Sequence, residues 1–459
     1  MPFIKRTALL LALLACLSLL GGCAGTPAAA PDPKPEPTPE VYRGEAEMDF
    51  ADRDFEELCG ELPALTELRK AHFPEDSLSV EQVRRIQELR PDVELDYDFT
   101  VNGKPGSISY TRLDLRSADR SGMQSWLEWA ACMPQLQSVE LGSGDAGDGH
   151  IPWAALAALR AARPELKVNY AFTLYGQDFT LESKEMNLTH IPIDDQGALV
   201  KGVTACMPNL VYLDMDSCGV DNEHMAEIRD QLPQANVVWR IWFGVVGHGT
   251  AGYSVRTDVE RILASNPGIG GELDPENTEA LKYCTKVKYL DLGHNSYMRS
   301  IDFVRYMPDL EAVVLAMGNW FDASPLENCT KIRYAELQTT CLSDLRPLTK
   351  LKNLEDLNLC YCFALHDISP LYELPQLKRL YLGKLTPVPA EQVAKMQEIA
   401  PDCEIDTTVL NPTDGHWRYT GHDDFGVNFV APSYQWLRDM MHYDEAPYSY
   451  AYPYNDPLY

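Results

Sequence analysis

The chain has 459 residues, and its 39 Lys and Arg stand against 68 Asp and Glu for a formal net charge of −29. No basic run interrupts that charge, which argues against nucleic acid as a partner and against direct contact with anionic lipid, since both need clustered cations. The length allows one large core or a long, quasi-one-dimensional one.

Lys5 and Arg6 precede an apolar run, Thr7 to Leu20, in the order of a secretory signal. The run falls short of the ~20 apolar residues that span a bilayer. Leu20-Gly21-Gly22-Cys23 follows and resembles the lipobox of bacterial lipoproteins. The resemblance implies that residues 1–22 are a signal peptide cut before Cys23. It implies also that the Cys23 thiol carries a diacylglyceryl group holding the exported chain to the bacterial cell membrane, facing outside. Two acyl chains at ~0.8 kcal/mol per buried CH₂ anchor stably, where one does not. Without lipidation the same order reads as an ordinary secreted protein. Residues 23–44 are the lipidated cysteine and a linker, in which Pro27, Pro31, Pro33, Pro35, Pro37 and Pro39 favour extended polyproline II. At ~3.1 Å per residue this makes a tether of roughly 50 Å; a linker of no tuned length fits equally.

Residues 45–280 read as irregular compound repeats. PDVELDYDFTVNGK (91–104), PELKVNYAFTLYGQ (164–177) and PQANVVWRIWFGVVG (233–247) resemble one another. A helix-like string precedes each: VEQVRRIQELR, AALAALRAAR and EHMAEIRDQL. Each unit is expected to end in a projecting hairpin, Asn102-Gly103 being the clearest turn signal. Two loops within this region invite chemistry. Gly144 to His150 (GDAGDGH) offers two carboxylates, too few for calcium, so a connecting loop is expected. Gly247 to Gly252 (GHGTAG) matches a dinucleotide-binding string before VRTDVERILAS, which could be a helix. It also sits where the earlier units place their hairpin turns, which is the preferred reading.

Residues 281–410 repeat regularly. YLDLGHN (289–295), AVVLAMG (312–318), YAELQTT (334–340), DLNLCYC (356–362) and RLYLGKL (379–385) place Leu292, Leu315, Leu337, Leu359 and Leu382 at steps of 22 or 23. Alternation inside each string predicts a short strand, and a fixed step predicts that each strand lies beside the last. These units resemble leucine-rich repeats of the internalin-like type, best in LRPLTKLKNLEDLNL and ISPLYELPQLKRLYL. The fold implied is α/β, a curved parallel sheet with helices or short helical turns on the convex side. The family's polar residue after the strand is kept as Asn295, with Cys362 an accepted substitute; Gly318, Thr340 and Leu385 depart from it. PDCEID (401–406) repeats the opening of the earlier long strings and reads as a cap on the stack.

The register that buries Leu290 and Leu292 turns Tyr289 and Asp291 outward. Tyr334 and Glu336, Asp356 and Asn358, and Arg379 and Tyr381 follow in the same way, giving two columns on one sheet face. Tyr and Arg are favoured binding anchors, so this face is the candidate site for a protein or glycan. The segment 411–459 breaks the repeat and holds eight tyrosines with Trp417 and Trp436. It is expected to wrap the last repeat and cover its apolar end, or else to offer an aromatic surface of its own.

Ten cysteines remain after Cys16 and Cys23. Cys132 and Cys206 sit in matching strings, as do Cys284 and Cys329, which suits small buried thiols better than a disulfide framework. No H-E-x-x-H, C-x-x-C or G-x-S-x-G occurs, so no metal site, cofactor or catalytic group is expected. The reading is a lipid-anchored surface protein presenting repeats for binding. An envelope scaffold without a soluble ligand, or an extracellular hydrolase, are the alternatives.

Overall fold

A computed structural model describes residues 45–51, 53–246, 251–265, 271–413, 416–422 and 428–444. The expectations for the signal, Cys23, the proline run and the final tyrosines lie outside these residues. Two compact units divide the chain: one up to Phe73 together with Arg84–Asp96, the other Pro74–Val83 with Tyr97 onward.

In the first unit, Glu47–Asp49, Lys70–His72 and Glu94–Asp96 form a parallel three-stranded sheet. The helix Phe55–Glu61 starts at Asp54, whose carboxylate accepts from the Glu56 and Glu57 amides. Arg90 ties the unit together by donating to the carbonyls of Leu62, Leu65 and Leu68 at 3.0, 2.6 and 3.1 Å. Leu62 and Leu65 also accept from the Leu65 and Leu68 amides, and Leu68 from Arg69, so Arg90 adds a second donor to each carbonyl.

The second unit reuses that device. Arg163, which like Arg90 precedes a proline, donates to the carbonyls of Met133 and Leu136 at 2.6 and 3.1 Å. The strings expected to be helical form Trp153–Ala162 and Asn222–Gln231 here. The hairpins also form. Asp98–Val101 pairs antiparallel with Lys104–Ser107 through Asn102 and Gly103, both at positive φ. Lys167–Leu174 pairs with Gln177–Thr180 through Tyr175 and Gly176, again both positive. Gly106 is required by packing: a Cβ there would lie 2.6 Å from Phe99 and 2.7 Å from Trp126.

The third hairpin joins Arg240–Val246 to Ala251–Arg256 antiparallel. The glycine string therefore connects two strands; its residues 247–250 lie outside the described residues. VRTDVERILAS does not become a helix. Its β-branched residues complete the strand Ala251–Arg256 and then the strand Arg261–Leu263.

Arg261–Leu263 opens a seven-stranded parallel sheet one strand before residue 281. Tyr289–Asp291, Ala312–Val314, Tyr334–Glu336, Asp356–Asn358, Arg379–Tyr381 and Glu404–Asp406 follow in chain order. The string expected to cap the stack is thus its last strand. Opposite the strands, short 3₁₀ turns such as Ser324–Asn328, Arg346–Lys350 and Ser369–Glu373 carry a proline in their first positions. Leu290, Leu292, Leu315, Leu337, Leu359 and Leu380 are fully buried between the two layers. The array is a leucine-rich repeat solenoid.

After four successive strands, Tyr289–Asp291 to Asp356–Asn358, the chain turns through a left-handed residue: His294, Met317, Thr339 and Tyr361 all have φ near +60°. The turn carbonyls need donors, and the donors differ by repeat. Asn295 Nδ2 gives to Ala264 and Leu292 at 3.0 and 2.9 Å. Thr340 Oγ1 gives to Leu337 at 2.9 Å, and Thr386 Oγ1 to Leu359 at 3.2 Å. Where Gly318 has no side chain, the indole of Trp320 enters the space and donates to Leu315 at 3.0 Å. A Cβ at 318 would sit 2.6 Å from that ring. The departures at Gly318 and Leu385 are therefore made good by Trp320 and Thr386, while Thr340 serves directly.

Candidate functional site

All eight outward positions lie on the strand face, as the alternation requires. They do not meet solvent freely. Asp291, Tyr334, Glu336, Asp356, Asn358 and Tyr381 are buried, and Tyr289 and Arg379 are half-buried. The cover is made by the chain's own residues 411–413, 416–422 and 428–444. It does not wrap the end of the array; it crosses the sheet.

Trp417 is the centre of that contact. Its ring is fully buried and packs on Tyr334 and Tyr381, with ring centroids 5.3 and 5.0 Å away. Its Nε1 donates to Glu336 Oε1 at 2.8 Å. Arg418 pairs with the same carboxylate, Nε to Oε1 at 3.0 Å, with Nη2 on Oε2. Tyr334 donates its hydroxyl to Glu336 as well, and Gln338 Nε2 donates at 3.1 Å. Burial opposes charge on Glu336, but the Arg418 guanidinium and these donors outweigh it and hold its pKa down to about 2.

The remaining positions are used in the same way. Asn358 donates to the Pro412 carbonyl at 2.7 Å. Arg379 pairs with Asp356, stacks over Trp417 at 4.3 Å, donates to the Trp417 carbonyl at 2.9 Å and reaches Ser433. The helix Pro432–Met441 lays Tyr434, Leu437 and Met441 against the sheet. Its Trp436 meets Tyr289 edge-on at 6.1 Å. Beyond it, the Tyr443 hydroxyl donates to Asp291 at 2.5 Å. Burial pushes the carboxyls of Asp291 and Asp356 up, against the pull of Tyr443 and Arg379 respectively.

The same Tyr-Leu-Asp string occurs at 212–214 on a neighbouring sheet, and it too is met by a later segment. Arg256 pairs with Asp214 at 3.0 Å and donates to the Tyr212 hydroxyl at 2.8 Å. Arg240 grips Asp216 through two bonds of 2.9 and 2.8 Å.

What stays open is the edge where the chain leaves the strands. The loops there stack in order: Asn319 N donates to Met298 O at 2.9 Å, and Cys341 N to Trp320 O at 3.2 Å. Tyr297, Phe321, Phe363 and Leu385 project from these loops, 56, 66, 60 and 45 % exposed. Sequence reading passed over this row because period finds buried leucines; the signal available was one large apolar residue in each of four post-strand loops.

The ten described cysteines are free thiols, and only Cys341 among them is exposed. Burial pushes the thiols of Cys206, Cys329, Cys360 and Cys403 up to about 12, which makes them inert packing groups. Asp145 and Asp148 spend a carboxylate oxygen each on the Gly147 and His150 amides, both at 2.7 Å. Among the described residues no group of three His, Cys, Asp or Glu is placed to hold a metal.

No protein-family model and no curated protein matches the sequence. Among solved structures, it is similar to an internalin of Listeria monocytogenes, at 14% identity over 76% of this chain and 78% of that one, with a TM-score of 0.25. An internalin C2 of the same organism is 16% identical over 49% of this chain and 80% of that one, TM-score 0.25. A leucine-rich repeat protein of Leptospira interrogans is 13% identical over 78% and 99%, TM-score 0.20. The fold stands on the register of its own strands, and these likenesses add no function to it.

Proposed function

We propose that the chain is an exported, lipid-anchored protein of the bacterial cell surface whose repeat array binds a protein partner through the loop-edge row Tyr297, Phe321, Phe363 and Leu385. The exposure of that row is the observation that carries the reading. Exposed large apolar side chains repeated along one edge mark an interaction surface; here Tyr297 and Phe321 stand in one pair of neighbouring repeats and Phe363 and Leu385 in another, with the loop after Tyr334–Glu336 between them, and aromatic residues make effective anchors. Protein suits the row better than glycan, because a leucine and three rings offer apolar area without converging hydrogen-bond groups. Arg299, Asp322, His366 and Lys384 lie within three residues of these side chains in the chain. No reaction is assigned to any of these residues. The strand face, in this reading, serves the covering segment and gives the edge a rigid backing.

A photo-crosslinking residue at Phe363 tests the proposal in cells. It should yield a discrete adduct with one protein, while the same residue at exposed Lys350, among the 3₁₀ turns, should not. A membrane-protein adduct would make the chain a scaffold, and a soluble or foreign one a receptor. Equal adducts from both positions would reject the row.

A further inference from the structure

A crevice of about 510 Å³ lies between the strand face and the covering segment, apart from the loop-edge row. Its size falls in the range of small-molecule sites. Its floor is sheet, from Ala316, Gln338 and Asp291; its walls are Tyr419, Tyr434 and Tyr443 from the segment.

The charges around it are already matched. Arg418 is held by Glu336, Arg438 by Asp444 and Asp291 by the Tyr443 hydroxyl. A charged ligand would find these groups already engaged and would lose its hydration without compensation from them. One group is left wanting. Gln338 is 3 % exposed, and its Oε1 has no hydrogen-bond partner. Rotating the amide does not cure this. Its nitrogen faces Glu336 Oε2 at 3.1 Å, and a carboxylate can only accept, so the oxygen must point away. A buried amide oxygen without a donor costs about 1–3 kcal/mol. A ligand hydroxyl or N–H would remove that cost.

We propose that this crevice binds a neutral, hydroxyl-rich ligand, a single sugar unit, with a ligand hydroxyl donating to Gln338 Oε1. The hydroxyls of Thr339 and Thr413 line the same space; that of Thr413 donates to Asn411 Oδ1 at 3.1 Å and can accept from a ligand. The tyrosine rings give an apolar wall for the C–H face of a pyranose. The ligand is neutral because Arg418, Arg438, Asp444 and Asp291 already have partners, and it carries hydroxyls because the Gln338 orphan is an acceptor.

Saturation-transfer NMR on the full chain tests this, in a zwitterionic detergent that itself carries no sugar. The probes are glucose, galactose, mannose and N-acetylglucosamine, with glucuronate and glucosamine as charged counterparts. Transfer to at least one neutral sugar is expected, several-fold above its charged counterpart. Gln338→Met, which keeps the volume and removes the acceptor, should cut the signal at least tenfold. Should that variant fail to fold, Thr413→Val at the rim should weaken binding several-fold. No transfer to any sugar would mean that water alone fills the crevice and would overturn the proposal. So would a preference for the charged probes, or unchanged transfer in the folded variants.

Discussion

The guanidinium of Arg418 sits on the carboxylate of Glu336, 82 residues earlier in the chain, with Nε 3.0 Å from Oε1. Glu336 is fully buried at the middle strand of the seven. Removing one partner of such a pair leaves an uncompensated charge, typically at a cost of about 3–5 kcal/mol. Arg418→Met should therefore lower unfolding stability by about that amount in urea titration. The double change Glu336→Gln with Arg418→Met should recover most of the loss, because no charge is then stranded and the amide oxygen can still accept from Trp417 Nε1. A double variant as unstable as the single would show that packing, not charge, dominates.

Acid should loosen the same contact. The folded pKa of Glu336 is about 2, against an ordinary 4.5. A depressed carboxylate contributes stability that is full above pH 4.5 and lost as pH falls toward 2. The shift corresponds to about 3 kcal/mol. Asp291 and Asp356 are raised, so they work the other way, and acid relieves them. The stability difference between the native chain and Glu336→Gln should thus be near 3 kcal/mol at pH 6 and shrink toward zero by pH 2. A difference that does not change with pH would place the depression elsewhere.

Trp320 stands in for a missing polar residue, and this can be measured. Trp320→Phe keeps most of the ring and loses the bond to the Leu315 carbonyl. A buried acceptor left unmet costs about 1–3 kcal/mol, to be read in urea denaturation. Gly318→Ala should be at least as costly, since its Cβ would collide with the same ring at 2.6 Å. Tolerance of both changes would show that the turn relaxes without the indole.

The repeat was legible because buried leucines recur at 22 or 23 residues and nothing else satisfies that spacing. The outward direction of Tyr289 and Asp291 followed from the pleat. Their burial did not, because a segment without period carries no register for saying where it lands. Its destination is written in complementarity instead. Trp417 and Arg418 need a buried acceptor and two rings, and Glu336 with Tyr334 and Tyr381 supplies them. The turn donors were partly legible for a similar reason: Asn295 announces itself by position, whereas Trp320 acts from two residues beyond the vacant one. Arg90 and Arg163 were hidden in strings read only for helix period.

The proposed membrane anchor is lipid on Cys23. Cys23→Ala should move the protein from the membrane pellet to the soluble fraction. It should also abolish incorporation of labelled palmitate and leave the precursor mass uncut. Retention in the membrane with unchanged mass would remove lipidation from the account.

The central claim is that the open loop edge, not the closed strand face, meets the partner. Capture of the crosslinked partner by the purified chain tests it most directly, comparing wild type with Tyr297→Ser/Phe321→Ser/Phe363→Ser, all exposed positions whose change leaves the core intact. At least a tenfold loss of capture is expected, with an unaltered urea midpoint. Capture at the wild-type level would contradict it.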